Sequence, residues 1–300
     1  MNLGLKMIII NKKNMKILIL GSNGMFANEL INELADSDWQ IFGTTRKIIN
    51  PKSNTTKNLN LLGGVDFNNL ESVFNAIDKV KPCIVLNLVG ITKYKEKTSS
   101  NIEFIEVNSL APHKISKFCN SIGSRFIQLS TDCVFSGIKG GYMDRDSTDP
   151  IDLYGKTKAL GEIAEFDNTL TIRTSFIGHN SHSSDGLLEW FLGNKDKSCN
   201  GFKTAIYSGV TTCELASIFT RFIFPNNDLS GIYNISSNKI SKYDLLVLIA
   251  DIYKKDINII PSEGWVIDRS LNSEQFKAVT GYNSPSWKEM ILEMYRKKNV

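Results

Sequence analysis

The sequence predicts an α/β protein, a doubly wound parallel sheet with a smaller C-terminal lobe. Three observations predict it. Short continuous apolar runs at residues 16–20, 83–90 and 125–129 read as strands buried on both faces. Segments of helical spacing alternate with them, as a parallel sheet with crossover helices requires. The first run leads straight into a glycine turn, Gly21-Ser22-Asn23-Gly24-Met25-Phe26-Ala27, that opens a helix-like stretch.

Strand, glycine turn and helix together form the context of a Rossmann-type dinucleotide site. Gly21 suits a tight turn, Gly24 a close approach to a pyrophosphate, and Ala27 a helix packed closely on the strand. The helix start supplies unpaired N–H groups for an anion. Residues 40–44 predict the second strand, ending in Thr44-Thr45-Arg46-Lys47. An NAD site usually places a carboxylate there to take the ribose hydroxyls. A basic pair stands in its place, so Arg46 either meets a 2′-phosphate, favouring NADP(H) over NAD(H), or is a solvated turn residue.

Residues 50–57 read as a polar loop, 58–62 as a third strand and 70–80 as a helix. Asp66 and Phe67 fall where an adenine ring would rest. The strand at 83–90 ends in Leu88-Val89-Gly90, where the centre of a dinucleotide should lie. A long helix over 101–122 carries Asn108, expected on the cofactor side, and His113, which is left without a role. The strand at 125–129 delivers Ser130 and Thr131 at its C-terminal end, beyond which ligands of such sheets bind.

Composition narrows the function classes. The 300 residues are 42% hydrophobic and 22% charged, with a net charge of +4. Those values predict neither a nucleic-acid stripe nor a polybasic membrane anchor. No apolar run approaches the ~20 residues that span a bilayer. The five cysteines (Cys83, Cys119, Cys133, Cys199 and Cys213) are scattered and odd in number, which fits reduced thiols in a cytoplasm rather than a disulfide framework or zinc site. Residues 1–14 read as a leader outside the fold.

The chemistry concentrates in residues 128–162. A strand end carrying Thr131 precedes a predicted helix with Tyr154 and, four positions on, Lys158. Positions i and i+4 share one helix face. A cation beside a phenol favours its ionised form and makes it a better proton donor. The Thr131 hydroxyl would hold a carbonyl oxygen beside it. This is equipment for reducing a keto group, although the pair alone carries little weight in a lysine-rich chain.

Taken together, Gly21-x-x-Gly24-x-x-Ala27, Ser130-Thr131-Asp132-Cys133-Val134-Phe135 and Tyr154-Gly-Lys-Thr-Lys158-Ala-Leu-Gly-Glu162 resemble the extended short-chain dehydrogenases/reductases. The closest pattern is that of the dTDP-4-dehydrorhamnose reductase family. The resemblance runs from about residue 15 to 295. It implies Thr131, Tyr154 and Lys158 as the catalytic set, with Lys158 also holding the nicotinamide ribose. It implies NADP(H) reduction of the 4-keto group of a nucleotide-activated 6-deoxyhexose, for surface polysaccharide precursors. Cys133 stands where dehydratases of this fold typically carry a glutamate, which argues against sugar dehydration.

In the second half, residues 170–174 predict a strand that brings Ser175 near the nicotinamide. Residues 179–184 form a polar loop with His179 facing the substrate, before a helix carrying Trp190 as a pocket residue or a core one. His179 and His182 lack the companion ligands a metal needs, so no metal is expected. Arg269 either reaches a diphosphate or makes a structural salt bridge. Asp132 and Cys133 are expected beside the substrate. The domains read as 15–174 for the dinucleotide, with 205–235 returning to it, and 175–204 plus 236–300 for the substrate. The family pattern also accommodates a homodimer through paired helices. Two other readings stay open: a 4-epimerase with tightly held NAD, and a non-catalytic regulatory subunit like that of methionine adenosyltransferase.

Overall fold

A computed structural model describes residues 15–47, 58–180 and 186–298. The expected leader at 1–14, the loop at 50–57 and His182 lie outside those residues.

The chain begins with β1 (Lys16–Leu20), α1 (Met25–Glu33), β2 (Gln40–Thr45), β3 (Leu59–Gly63), α2 (Leu70–Val80) and β4 (Ile84–Asn87). There follow α3 (Asn101–Ile105), α4 (Ala111–Ser121), β5 (Arg125–Thr131), α5 (Leu153–Leu160) and β6 (Thr169–Thr174). Next come β7 (Phe176–Ile177), α6 (Leu187–Gly193), β8 (Ser198–Phe202), β9 (Ala205–Tyr207), β10 (Val210–Thr211), α7 (Thr212–Ile218) and β11 (Gly231–Asn234). The chain closes with β12 (Ile240–Ser241), α8 (Lys242–Tyr253), β13 (Asn258–Ser262), β14 (Ile267–Asp268), α9 (Glu274–Thr280) and α10 (Trp287–Lys298).

Seven strands form one sheet in the order β11-β6-β5-β4-β1-β2-β3, and every neighbouring pair is parallel. The apolar runs explain this. In β1, Ile17 and Ile19 enter one core with Leu30, Phe219 and Leu245, whereas Leu18 and Leu20 enter the other with Val73, Ile77 and Ile115. Both faces are covered, so the strand has no polar face to alternate with. Strand order reverses between β1 and β4, where Leu20 pairs with Asn87. That reversal opens a crevice beyond the strand ends, the place where such sheets bind ligands.

The helix expected over 101–122 contains an irregularity. Ser100 starts it with a capping box to Glu103, but residues 106–110 form a π turn before α4. A π turn widens the backbone spiral by one residue and often marks a functional site. Here it displays Asn108 and lets α5 pack at backbone contact. A Cβ on Gly161 would fall 1.9 Å from the Asn108 carbonyl oxygen.

Outside the large sheet, the second half of the chain pairs short strands: β7 with β10, β8 with β13, and β9 between β12 and β14. Residues 205–207, within the stretch expected to return to the dinucleotide domain, pair with β12 and β14 and not with the seven-stranded sheet. The chain rejoins the large sheet at β11. Among the described residues no helix is long and apolar enough to cross a membrane, and no group of three metal-ligating side chains assembles.

Candidate active site

The glycine turn forms the first wall. Gly21 has φ +83°, and a Cβ there would lie 2.8 Å from Val89 Cγ2, so glycine is favoured both by conformation and by the approach of the segment that follows β4. The turn is pinned to β2. Gly21 N–H donates to Thr44 Oγ1 (3.1 Å), Ser22 Oγ–H to Thr44 O (2.9 Å) and Asn23 Nδ2 to Thr45 Oγ1 (3.1 Å). Gly24 then starts α1 without any side-chain cap, and no acidic residue occupies the first turn. The first amides of a nine-residue helix are therefore left for an anion.

Beyond this turn lies a cavity of about 810 Å³, whose lining includes Gly21, Asn23, Gly24, Arg46, Asp66 and Phe67. It runs into a second cavity of about 450 Å³ through the shared residues Gly24, Leu88, Val89 and Gly90. A Cβ on Gly90 would lie 3.4 Å from Asn108 Oδ1 and 4.0 Å from Lys158 Nζ. Uncapped amides, a basic residue at the end of β2 and an open passage at Gly90 fit a dinucleotide lying across both cavities.

The second cavity is lined by Met25, Phe26, Thr131, Asp132, Cys133, Tyr154, Lys158 and Ser175. Three local devices bring them together. Thr131 ends β5 and its Oγ1 accepts from Cys133 N–H (3.2 Å), folding the chain into a short 3-10 turn, while its own O–H donates to Asp132 Oδ1 (3.2 Å). Asp152 caps α5 by accepting from Gly155 N–H (2.7 Å). A Cβ on Gly155 would fall 2.2 Å from the Cys133 carbonyl oxygen, so glycine lets α5 lie against that turn. Tyr154 is thereby held beside Thr131 in the wall of the cleft.

The electrostatics differ from the expectation that Lys158 draws the Tyr154 pKa down. Burial pushes the phenol up, with Cys133, Asp132 and Asp152 adding to the rise and Thr131 opposing it. Lys158 donates instead to Leu129 O (2.6 Å). Burial lowers its pKa to about 8, and Glu162 behind it opposes the fall. At neutral pH the cleft thus holds a protonated phenol and a largely protonated lysine.

Residues 15–300 match the family described as RmlD substrate binding domain. The chain belongs to that family. Its curated relatives include the dTDP-4-dehydrorhamnose reductase of Salmonella typhimurium, 26% identical over 260 residues, which cover 77% of this chain and 86% of that protein. They also include the methionine adenosyltransferase 2 subunit beta of Bos taurus, 25% identical over 259 residues, covering 81% of this chain and 74% of that protein. The crystal structure of a Bacillus anthracis dTDP-4-dehydrorhamnose reductase in complex with NADP superposes with a TM-score of 0.78 at 19% identity, covering 94% of this chain and 99% of that one.

Within this RmlD-type fold, four residues expected at the site do not line either cavity. Asn108 is 1% exposed and its amide is committed to the scaffold: Oδ1 accepts from Ile91 N–H (2.8 Å), and Nδ2 donates to Ile91 O (2.9 Å) and Thr157 Oγ1 (3.2 Å). It shapes the wall behind Gly90. His179 bridges Glu189 (2.9 Å) and the Tyr253 hydroxyl (2.8 Å) with its two ring nitrogens, and its neighbour Asn180 lines the cleft in its stead. Trp190 points outward, 47% exposed, into a separate depression that it shares with Phe202. Arg269 reaches the cleft only from behind, donating to Cys133 Sγ (3.3 Å), and forms no ion pair among the described residues.

Two further cleft residues come from the last third of the chain, Tyr207 and Lys242. Nothing in their sequence neighbourhood marks them. They arrive through β9 and the start of α8, far along the chain from Thr131.

Proposed function

We propose that this chain is an NADP(H)-dependent reductase of the 4-keto group of a nucleotide-activated 6-deoxyhexose, of the dTDP-4-dehydrorhamnose type. The observation that carries the reading is the convergence of Thr131, Tyr154 and Lys158 in a cleft continuous with the cavity behind the glycine turn. NADP(H), when bound, supplies the hydride. Arg46 would pair with the 2′-phosphate, the α1 amides with the pyrophosphate, and Lys158 with the nicotinamide ribose. Tyr154 holds its proton at neutral pH and delivers it to the carbonyl oxygen as charge develops there. The Thr131 hydroxyl orients that oxygen, and the Lys158 ammonium steadies the phenolate left behind. Cys133, pushed up to about 12 chiefly by burial, stays a neutral thiol and offers no base for removing water. Ser175, Asn180 and Lys242, from the proposed substrate lobe (residues 175–204 and 236–300), give the cleft its outer wall together with Tyr207 from the segment between those two stretches. The free cysteines agree with a cytoplasmic reaction supplying polysaccharide precursors.

Purified Tyr154→Phe, assayed with NADPH and a 4-keto nucleotide sugar, should lose ~10²–10⁴-fold in turnover. Wild-type rates in that variant would remove the mechanism. The likeness to a methionine adenosyltransferase subunit favours a second reading, regulatory dinucleotide binding without catalysis. It predicts NADPH binding with no NADPH oxidation across dTDP-, UDP- and GDP-linked 4-keto sugars.

A further inference from the structure

Lys242 occupies a position that is costly unless an anion meets it. It is the first residue of α8, a twelve-residue helix capped by Ser241, whose Oγ accepts from Asp244 N–H (2.9 Å). A helix N-terminus carries positive partial charge and disfavours a cation there. Burial disfavours the ammonium as well, and lowers its pKa to about 8. The Nζ rests 4.0 Å from the centroid of the Tyr207 ring, and no hydrogen bond or ion pair to it occurs among the described residues. A cation–π contact contributes about 0.5–2 kcal/mol, less than full hydration of an ammonium provides.

The charges of the cleft show what would compensate it. Among the described lining residues the charged ones are Lys93, Lys158, Lys242 and a single carboxylate, Asp132. Lys158 is turned inward onto the Leu129 carbonyl. Asp132 accepts from Thr131, and it, Lys93 and Cys133 are the titratable groups that act on Lys242. Two lysines, one from each side of the cleft, therefore face one carboxylate, and an excess of positive charge remains. Neutral sugar hydroxyls cannot balance it. A diphosphate can, and an ammonium is a point-charge partner for phosphate.

We propose that Lys242 is the small lobe's contact to the diphosphate of the nucleotide-linked substrate, with Lys93 facing it from the first domain. The assignment rests on the reductase reading for its substrate class, yet it can be tested without turnover. The experiment is calorimetric titration of the full chain, saturated with NADP(H), with dTDP and UDP and in parallel with thymidine and uridine. It compares the wild type with Lys242→Gln and Lys242→Arg. Lys242→Gln should weaken nucleoside diphosphate binding about 10- to 100-fold, the size of one hydrogen bond between charged groups. Nucleoside and NADPH binding should be unchanged, and Lys242→Arg should recover most of the loss. In the wild type, diphosphate affinity should fall as pH rises past 8 while nucleoside affinity does not, a readout that needs no variant to fold.

Diphosphate affinity that ignores Lys242, equal weakening of nucleosides, or a wild type that binds no nucleoside diphosphate would overturn the assignment. Turnover of a 4-keto sugar with Lys242-insensitive affinity removes this subsite and leaves the reductase. Lys242-dependent diphosphate binding without any NADPH oxidation removes the reductase and leaves the subsite.

Discussion

Replacing Glu162 with glutamine probes the support behind the cleft. The carboxylate is 5% exposed and accepts from Arg173 Nε (2.8 Å), Arg173 Nη2 (2.7 Å) and Ser130 Oγ (2.7 Å). Arg173 is 4% exposed, donates Nη1 to Asp144 O (2.9 Å) and lies over the Phe135 ring at 5.0 Å. An amide can still accept from Ser130, but its NH2 would face the guanidinium and leave that charge buried without a counter-charge. Removing one partner of such a pair costs about 3–5 kcal/mol. Two unit charges about 4 Å apart at an effective dielectric near 20 interact by ~4 kcal/mol, the same size. The urea midpoint of Glu162→Gln should fall accordingly, and a double variant that also carries Arg173→Met should recover part of the loss. A second readout separates this from general damage. Glu162 raises the pKa of Lys158, so the alkaline limb of kcat/KM should move to lower pH in Glu162→Gln. A stability loss below about 1 kcal/mol with an unmoved limb would refute the reasoning.

Three further outcomes follow from the same geometry. Arg46→Ala should weaken NADPH about 10- to 100-fold while leaving NADH unaffected, measured by fluorescence titration of both cofactors. Gly21→Ala forces a side chain into φ +83° and against Val89. Thermal melting should show a loss of about 1–3 kcal/mol, and NADP(H) binding should weaken with it. In the wild type, kcat/KM for NADPH should fall as pH rises through about 8, because Lys158 is charged below its lowered pKa and neutral above it. A flat profile from pH 7 to 9.5 would detach Lys158 from cofactor binding.

Much of the large sheet was legible in the sequence, because it rests on local signals. A strand buried on both faces announces itself as an unbroken apolar run, and the tight turn at Gly21 admits little but glycine. The i, i+4 spacing placed Tyr154 and Lys158 on one helix face, while the role proposed for them came from the family resemblance. The π turn at 106–110 was not legible, since it arises from packing against α5 rather than from any residue with a preference for that geometry. Composition likewise could not orient single side chains. His179 and Trp190 belong to polar and aromatic surroundings that suit a pocket, yet one is locked between Glu189 and Tyr253 and the other turns to solvent. Lys242 and Tyr207 were out of reach for the opposite reason: only tertiary folding brings them to Thr131.

The cavity behind the glycine turn has a lining drawn from residues 21 to 107, whereas the neighbouring cleft adds side chains from as far along as Lys242. A change confined to the later part of the chain can therefore reshape the cleft while the cavity behind the glycine turn keeps its lining. The two cavities are thus open to change one at a time.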